Sequence, residues 1–132
     1  MLAPAGTFTQ VNWEVNRLLL EALVAGAQRR QVASFLDLYA GAGNFTLPLL
    51  SKGMRGVSVE SAREAAHAAR EAARRQNFNG GRFWARDVRR AVESLSAESR
   101  RYDLVIVDPP RGGVKHGLTE MAALSQGWVV LC

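Results

Sequence analysis

Four carboxylates recur where a strand-like run gives way to a turn. Asp37 precedes Leu38-Tyr39-Ala40-Gly41-Ala42-Gly43-Asn44, Glu60 closes Gly56-Val57-Ser58-Val59, Asp87 follows Arg82-Phe83-Trp84-Ala85-Arg86, and Asp108 follows Tyr102–Val107 and opens Pro109-Pro110-Arg111. Gly41 and Gly43 let a backbone take positive φ and approach a ligand without a Cβ in the way. The helix-like run after them offers unpaired N–H groups and a positive dipole end. A carboxylate at the second strand end, Glu60, suits the two hydroxyls of a ribose. Asp37, just before the turn, would repel a pyrophosphate and attract a cation. The expected cofactor is therefore S-adenosylmethionine, which carries a sulfonium and an ammonium group and no phosphate, and not NAD.

Two further acids sit at later strand ends. Asp87 can accept from the exocyclic amine of adenine or cap the helix that begins at Val88, and both roles are compatible. Asp108 is followed by two prolines that can neither continue a strand nor donate hydrogen bonds. Their rigid loop should hold Asp108 and Arg111 over a crevice, with Arg111 toward the substrate.

The elements that must position these groups alternate strand with helix, which implies an α/β layered fold. Val15, Leu18, Leu19, Ala22 and Leu23 recur at helical spacing in a leading helix, 8–27, expected to pack on the sheet. Thr7–Asn12 leads into it, with Gln10 and Asn12 as entry caps. Strands are expected near 33–38, 55–60, 82–86, 102–107 and 127–132, and the apolar fourth is expected at the sheet centre. Helices fill the intervals: one ending near Gly53, one over 62–76 capped by Ser61 and stopped by Asn79-Gly80-Gly81, one from Val88, and a short one over 118–125. His67 reads as a surface or packing residue of the second of these.

The chain has 132 residues, enough for a single domain over 1–132, and a net charge of +5 carried mostly by arginine. Nucleic acid is the natural polyanionic partner, and Arg86, Arg89, Arg90, Arg100 and Arg101 are either phosphate contacts or a solvated face. One cysteine excludes an internal disulfide and a cysteine-rich metal site, and no metal is expected. The opening residues lack a signal-peptide pattern and no apolar run approaches about 18 residues, so a cytoplasmic address is expected, with no membrane association. Oligomeric state is not legible.

Phe8-x-Gln10-x-Asn12, Asp37 to Thr46, Glu60, Asp87 and Asp108-Pro109-Pro110-Arg111 together resemble the catalytic domain of the RNA 5-methyluridine methyltransferases over nearly the whole chain. Asp-Pro-Pro-Arg is the more specific element, since amino-directed methyltransferases tend to carry Asn/Asp-Pro-Pro-aromatic there. The resemblance implies a Rossmann-like class I S-adenosylmethionine-dependent methyltransferase fold, mostly parallel and lacking its last strands. It implies RNA, ribosomal or transfer, as substrate. It places Gln10, Tyr39, Asn44, Glu60, Asp87 and Asp108 at cofactor- and substrate-pocket positions, and Cys132 at the nucleophile. A thiolate is needed because C5 of uracil is a poor nucleophile until addition at C6 activates it. On its own chemistry Cys132 also reads as an ordinary strand cysteine.

Ala40 replaces a cysteine common in that loop, Leu131 stands where a serine usually precedes the nucleophile, and the following Asn-Pro and the downstream glutamate base have no counterpart. The chain therefore reads as truncated at the nucleophile strand, expected to bind cofactor and RNA without efficient turnover. Alternatives are an amino-directed RNA or protein methyltransferase and a non-catalytic binding remnant.

Overall fold

A computed structural model describes residues 5–110 and 117–132, with side chains from residue 14 onward. Two compact units divide it, residues 1–31 and 32–132.

The first unit is one helix, α1 (Ala5–Arg29). It begins earlier than expected, because no glycine or proline interrupts residues 7–24. Gln10 and Asn12 therefore lie within the helix, not at its entry, and their side chains fall outside the described residues. Of the expected apolar stripe, Leu23 is buried, while Val15, Leu18 and Leu19 are exposed.

The second unit alternates β1 (Ser34–Leu38), α2 (Thr46–Ser51), β2 (Arg55–Glu60), α3 (Arg63–Arg75), β3 (Gly81–Ala85), α4 (Val88–Ala97), β4 (Tyr102–Val107), α5 (Leu118–Ala122) and β5 (Ser125–Leu131). The five strands form one sheet in the order β3-β2-β1-β4-β5, and every pairing is parallel. The sheet centre is β1, where the apolar β4 was expected. Both are buried along almost their whole length, so apolarity marks an interior strand without saying which one is central. The chain runs outward from β1 through β2 to β3, then crosses back to place β4 on β1's other side. That reversal opens a crevice beyond the carboxyl ends of β1 and β4, where doubly wound sheets bind ligands.

One core lies between the sheet and α4 with α5. Leu36, Leu38, Val105 and Val107 meet Val92, Leu95 and Leu124 there, all at most 4% exposed. At the amino ends of the strands Asp103 joins three of them. One carboxylate oxygen accepts from the Ala33 and Ser34 N–H groups (2.9 and 3.2 Å), the other from the Gln126 amide (2.9 Å). These bonds hold its carboxyl below the usual range, Gln126 contributing most.

Helix ends show where local reading misplaced a signal. Ser61 does not cap α3. Ala62 is the N-cap, without a side-chain bond, and the Glu60 carboxylate accepts from its N–H at 2.7 Å. Nor do Gly80 and Gly81 stop that helix. Asn77 takes φ +60°, while Phe78 N–H donates to Ala73 O and Asn77 N–H to Arg74 O, the Schellman pattern. Gly80 is instead needed at the start of β2 and Gly81 against α2: an added Cβ would fall 2.9 Å from Met54 O and 2.8 Å from Leu50 Cδ1 respectively. Gly53, with φ +87°, does terminate α2 as expected.

Candidate active site at the carboxyl edge of the sheet

Parallel register brings the carboxyl ends of β1, β2, β4 and β5 into one row. Leu38 pairs with both Val59 and Val107, and Val107 pairs with Leu131. Backbone bonds extend the row past the strands: Ala40 N–H donates to Val59 O (3.0 Å), Arg86 N–H to Glu60 O (3.1 Å) and Cys132 N–H to Val107 O (3.0 Å). Residues far apart in sequence, Tyr39, Glu60, Asp108 and Cys132, thereby share an edge.

The loop after β1 is wound tightly. Tyr39, Gly41 and Gly43 have φ of +62°, +59° and +93°. A tyrosine in the left-handed region is uncommon, and such outliers gather where a backbone is held for function. A Cβ on Gly43 would lie 3.1 Å from Leu47 Cγ and 3.2 Å from Ala69 Cβ, so this glycine packs the loop onto α2 and α3. At Gly41 an added Cβ would meet nothing within 4 Å, which leaves open space where a ligand can approach the backbone.

Glu60 fastens this loop. One carboxylate oxygen accepts from Gly41 N–H at 2.8 Å and the other from Ala62 N–H at 2.7 Å, so the residue read as a ribose ligand also ties two loops together. Each oxygen keeps a second lone pair with which to accept from a hydroxyl.

Asp37 is not the open anion that its place in the sequence suggested. It is wholly buried, with Oδ2 accepting from the Thr46 hydroxyl at 2.6 Å and Oδ1 without a hydrogen-bond partner. Burial pushes its carboxyl up to about 7, against the Thr46 hydrogen bond and with the negative charges of Asp108 and Glu60 adding to it. Thr46, also buried, is the residue that sequence reading passed over. Its signal was available: a hydroxyl in the first turn of the helix that follows the glycine loop.

Burial likewise raises the Asp108 carboxyl. Cys132 is exposed as a residue, yet partial burial of its sulfur, then the charges of Asp108 and Asp37, push its thiol up to about 11. Tyr39 is raised by burial, with Asp87 adding to it. Asp87 is exposed and caps α4, its carboxylate accepting from Arg90 N–H at 3.2 Å, which is one of its two expected roles. Asn44 is exposed at the end of the glycine loop. Arg111 lies outside the described residues. Gln10, on α1, lies in the other unit. Among the described residues no group of three or more His, Cys, Asp or Glu is placed to hold a metal ion, and no described helix is long and apolar enough to cross a membrane.

These features fit a cationic cofactor: the donor set is acidic, one buried carboxylate oxygen lacks a partner, and the loop beside it leaves space at Gly41. The all-parallel sheet, its strand order and the crevice at its reversal define the Rossmann-like class I fold of S-adenosylmethionine-dependent methyltransferases. The chain belongs to the family described as conserved hypothetical protein 95, which it matches over residues 20–130. It is similar to the 23S rRNA (uracil(1939)-C(5))-methyltransferase RlmD of Alkalilimnicola ehrlichii, 35% identical over 125 residues. That match takes in 95% of this chain and 28% of the relative, so the chain spans little more than a quarter of the relative's length. RlmD of Aromatoleum aromaticum is 36% identical over 107 residues, 80% of this chain and 25% of its own.

Among solved structures, the Thermus hypothetical protein TTHA0928 superposes with a TM-score of 0.74 at 26% identity, covering 99% of this chain and 77% of that one. The Pyrococcus abyssi tRNA (uracil-54, C5)-methyltransferase, solved with S-adenosyl-L-homocysteine, shares the fold at a TM-score of 0.59 and 23% identity, over 80% of this chain and 24% of that one. The matching family is a methyltransferase family but not the uracil-C5 family itself, while the similarity to the RlmD proteins agrees with the family named from sequence, which is thus supported in part.

Proposed function

We propose that this chain is the S-adenosylmethionine-binding catalytic domain of an RNA methyltransferase, acting at C5 of a uridine in ribosomal or transfer RNA. The observation that carries the reading is the placement of Cys132 against Asp108, through the Cys132 N–H to Val107 O bond, at the same edge as Glu60 and the glycine loop. Similarity to the RlmD proteins along nearly the whole chain supports the substrate class.

Glu60 would accept from the ribose hydroxyls, Asp87 and Tyr39 would hold the adenine, and Gly41, Gly43 and Asn44 would let the loop close on the cofactor. Asp37 and Asp108 supply the negative charge that a sulfonium and an ammonium group require. When bound, the cofactor supplies an electrophilic methyl group. Cys132 must lose its proton and form a bond to C6 of uracil, which drives electron density to C5. Once methylated, C5 would pass its proton to a base as the C6–sulfur bond breaks and releases the Cys132 thiolate, which then regains the proton it gave up at the start. Asp108 and Asp37 disfavour the thiolate while the edge carries no positive charge. A cation bound at this edge would lower that cost, so cofactor binding should precede ionisation of Cys132.

A second reading, methyl transfer to an exocyclic amine of an RNA base, is compatible with a family match that is not to the uracil-C5 family itself, and is favoured by the raised thiol of Cys132. Asp108 would then accept from the amine, and Cys132 would be a packing residue. Calorimetric titration with S-adenosylhomocysteine tests the cofactor, and absence of binding would overturn it. Transfer of tritiated methyl to unmodified ribosomal and transfer RNA, with digestion to nucleosides, tests the base. Label in 5-methyluridine that disappears in Cys132→Ala supports the first reading. Label in an N-methylated purine that survives Cys132→Ala establishes the second.

A further inference from the structure

The crevice just described is lined by carboxylates, which repel a phosphate backbone, so an RNA substrate has to be held by another part of the surface. Edge strand β3 offers one. Three contiguous clefts wrap around it, of about 500, 230 and 150 Å³. The largest shares Arg82 and Trp84 with the second, and Arg70 and Phe83 with the third. Six arginines line the three clefts, and not one aspartate or glutamate does. In a protein with 12 acidic residues this is a segregation of charge, not a uniformly basic surface.

We propose that the clefts around β3 bind a single-stranded segment of RNA, by phosphate contacts to Arg55, Arg82 and Arg100 and by base stacking beside Trp84. The inference rests on the RNA reading above and adds to it the surface that holds the strand. Four observations carry it. Arg55 and Arg82 have no ion-pair partner among the described residues, so their charge is available. Tyr102 lines the cleft they share with Arg100; it is 6% exposed and its hydroxyl has no hydrogen-bond partner, so a buried donor is left for a ligand oxygen. A phenol hydroxyl among three guanidinium groups, of which Arg100 shares its charge with Glu98 at 3.2 Å, is a donor set for phosphate.

The third observation is geometric. Arg82, Trp84 and Arg86 alternate on one face of an extended run, and alternate residues in a strand lie ~6.6 Å apart, on the order of one extended nucleotide step. The Arg86 guanidinium lies 4.3 Å from the centre of the Trp84 ring, which pairs a cation with a stacking surface as single-strand binders do. Fourth, the run leads in the right direction: from Arg82 near the amino end of β3 it reaches Arg86, whose N–H donates to Glu60 O at the catalytic edge. On the other side of the strand Arg70 is committed to Phe83 O at 3.1 Å and covers the β3 edge, which leaves its neighbours to the ligand.

The test is fluorescence anisotropy of a fluorescein-labelled, unstructured 20-nucleotide RNA titrated with the chain across a range of salt. Arg55→Gln/Arg82→Gln should bind about 10-fold more weakly. Its plot of log K against log salt should flatten by about 1.4, two lost phosphate contacts at about 0.7 each on a single strand. Tyr102→Phe should weaken binding about 3-fold while leaving the melting temperature the same or higher, because it removes an unsatisfied hydroxyl. Arg29→Gln/Arg75→Gln, the same charge change outside the clefts, should leave the affinity within 2-fold. Wild-type affinity and slope in Arg55→Gln/Arg82→Gln, or an equal loss in Arg29→Gln/Arg75→Gln, would overturn the proposal. Titration with S-adenosylhomocysteine separates the two readings. Cofactor binding without cleft-dependent RNA binding refutes this surface alone, and cleft-dependent RNA binding without cofactor binding refutes the cofactor alone.

Discussion

At the carboxyl ends of β1 and β4 the fold sinks Asp37 out of water and surrounds it with Asp108, Glu60 and the Cys132 sulfur. Along β3, two strands from β1, it lines three clefts with arginine and excludes every carboxylate. The first region is starved of positive charge: burial raises Asp37 and Asp108, like charges add to the shift at Asp37, and one oxygen of Asp37 has no donor. The second is starved of negative charge. Each therefore lacks the charge that its own proposed ligand carries, a cation at the crevice and a polyanion at the β3 margin. A methyltransferase acting on RNA needs both, and it needs them apart, since guanidinium groups at the crevice would repel the sulfonium and carboxylates along β3 would repel phosphate.

The largest expected effect that tests this contrast is on Asp37. Its folded pKa, about 7, lies above the model-peptide value of 3.8, so the protonated form is favoured by folding. The stability it contributes is fully present below about pH 4 and is lost as pH rises through 7. At about 1.36 kcal/mol per pH unit of displacement, that loss is about 4 kcal/mol at most. Asp37→Asn keeps an acceptor for Thr46 and cannot ionise, so in the absence of cofactor it should be more stable than wild type at pH 8 and show a flatter stability profile between pH 4 and 7. The same substitution should weaken S-adenosylhomocysteine binding. Urea unfolding at a series of pH values decides it: parallel profiles for the two proteins would show that Asp37 is not held in a charge-starved site.

Next in size is Glu60. Glu60→Gln should weaken S-adenosylhomocysteine binding by about 1.5–3 kcal/mol, the scale of a hydrogen bond to a charged group. RNA affinity at the β3 margin should be unchanged, and calorimetry beside anisotropy reads both. Loss of RNA binding as well would mean that the two regions are one. Because Glu60 also accepts from Gly41 and Ala62, the substitution should bring a measurable drop in melting temperature.

The smallest effect is expected at Asp87. Asp87→Ala removes an N-cap and should cost about 1 kcal/mol of stability. If its carboxylate also meets adenine, cofactor affinity should fall further than in Asp87→Ser, which restores a cap without a charge. Equal affinity in the two variants would reduce Asp87 to its cap.

Strand positions were readable because their causes are local. Asp37, Glu60, Asp87 and Asp108 each follow an apolar or β-rich run, Pro109 and Pro110 stop β4, and Gly53 takes the positive φ that ends α2. Where local signals competed, reading failed. Ser61 precedes a turn already held by Glu60, so its hydroxyl was not needed. Asn77 reached the left-handed conformation before Gly80 and Gly81, which were required for close approach to the start of β2 and to α2.

By itself, then, the amino-acid order determined the alternation of strand and helix, the glycine loop, the acidic strand ends and the excess of arginine, because each follows from side-chain period, backbone freedom or charge count. Only the tertiary structure decided which carboxylate meets water and which arginines stand together. Parallel register set Cys132 beside Asp108 across 24 positions of sequence. The fold buried Asp37 against Thr46 of α2, and the outward placement of β3 left Arg82 and the arginines of its neighbours lining open clefts. Burial and long-range pairing set the local dielectric and the neighbouring charges, and neither is a property of any short stretch of chain.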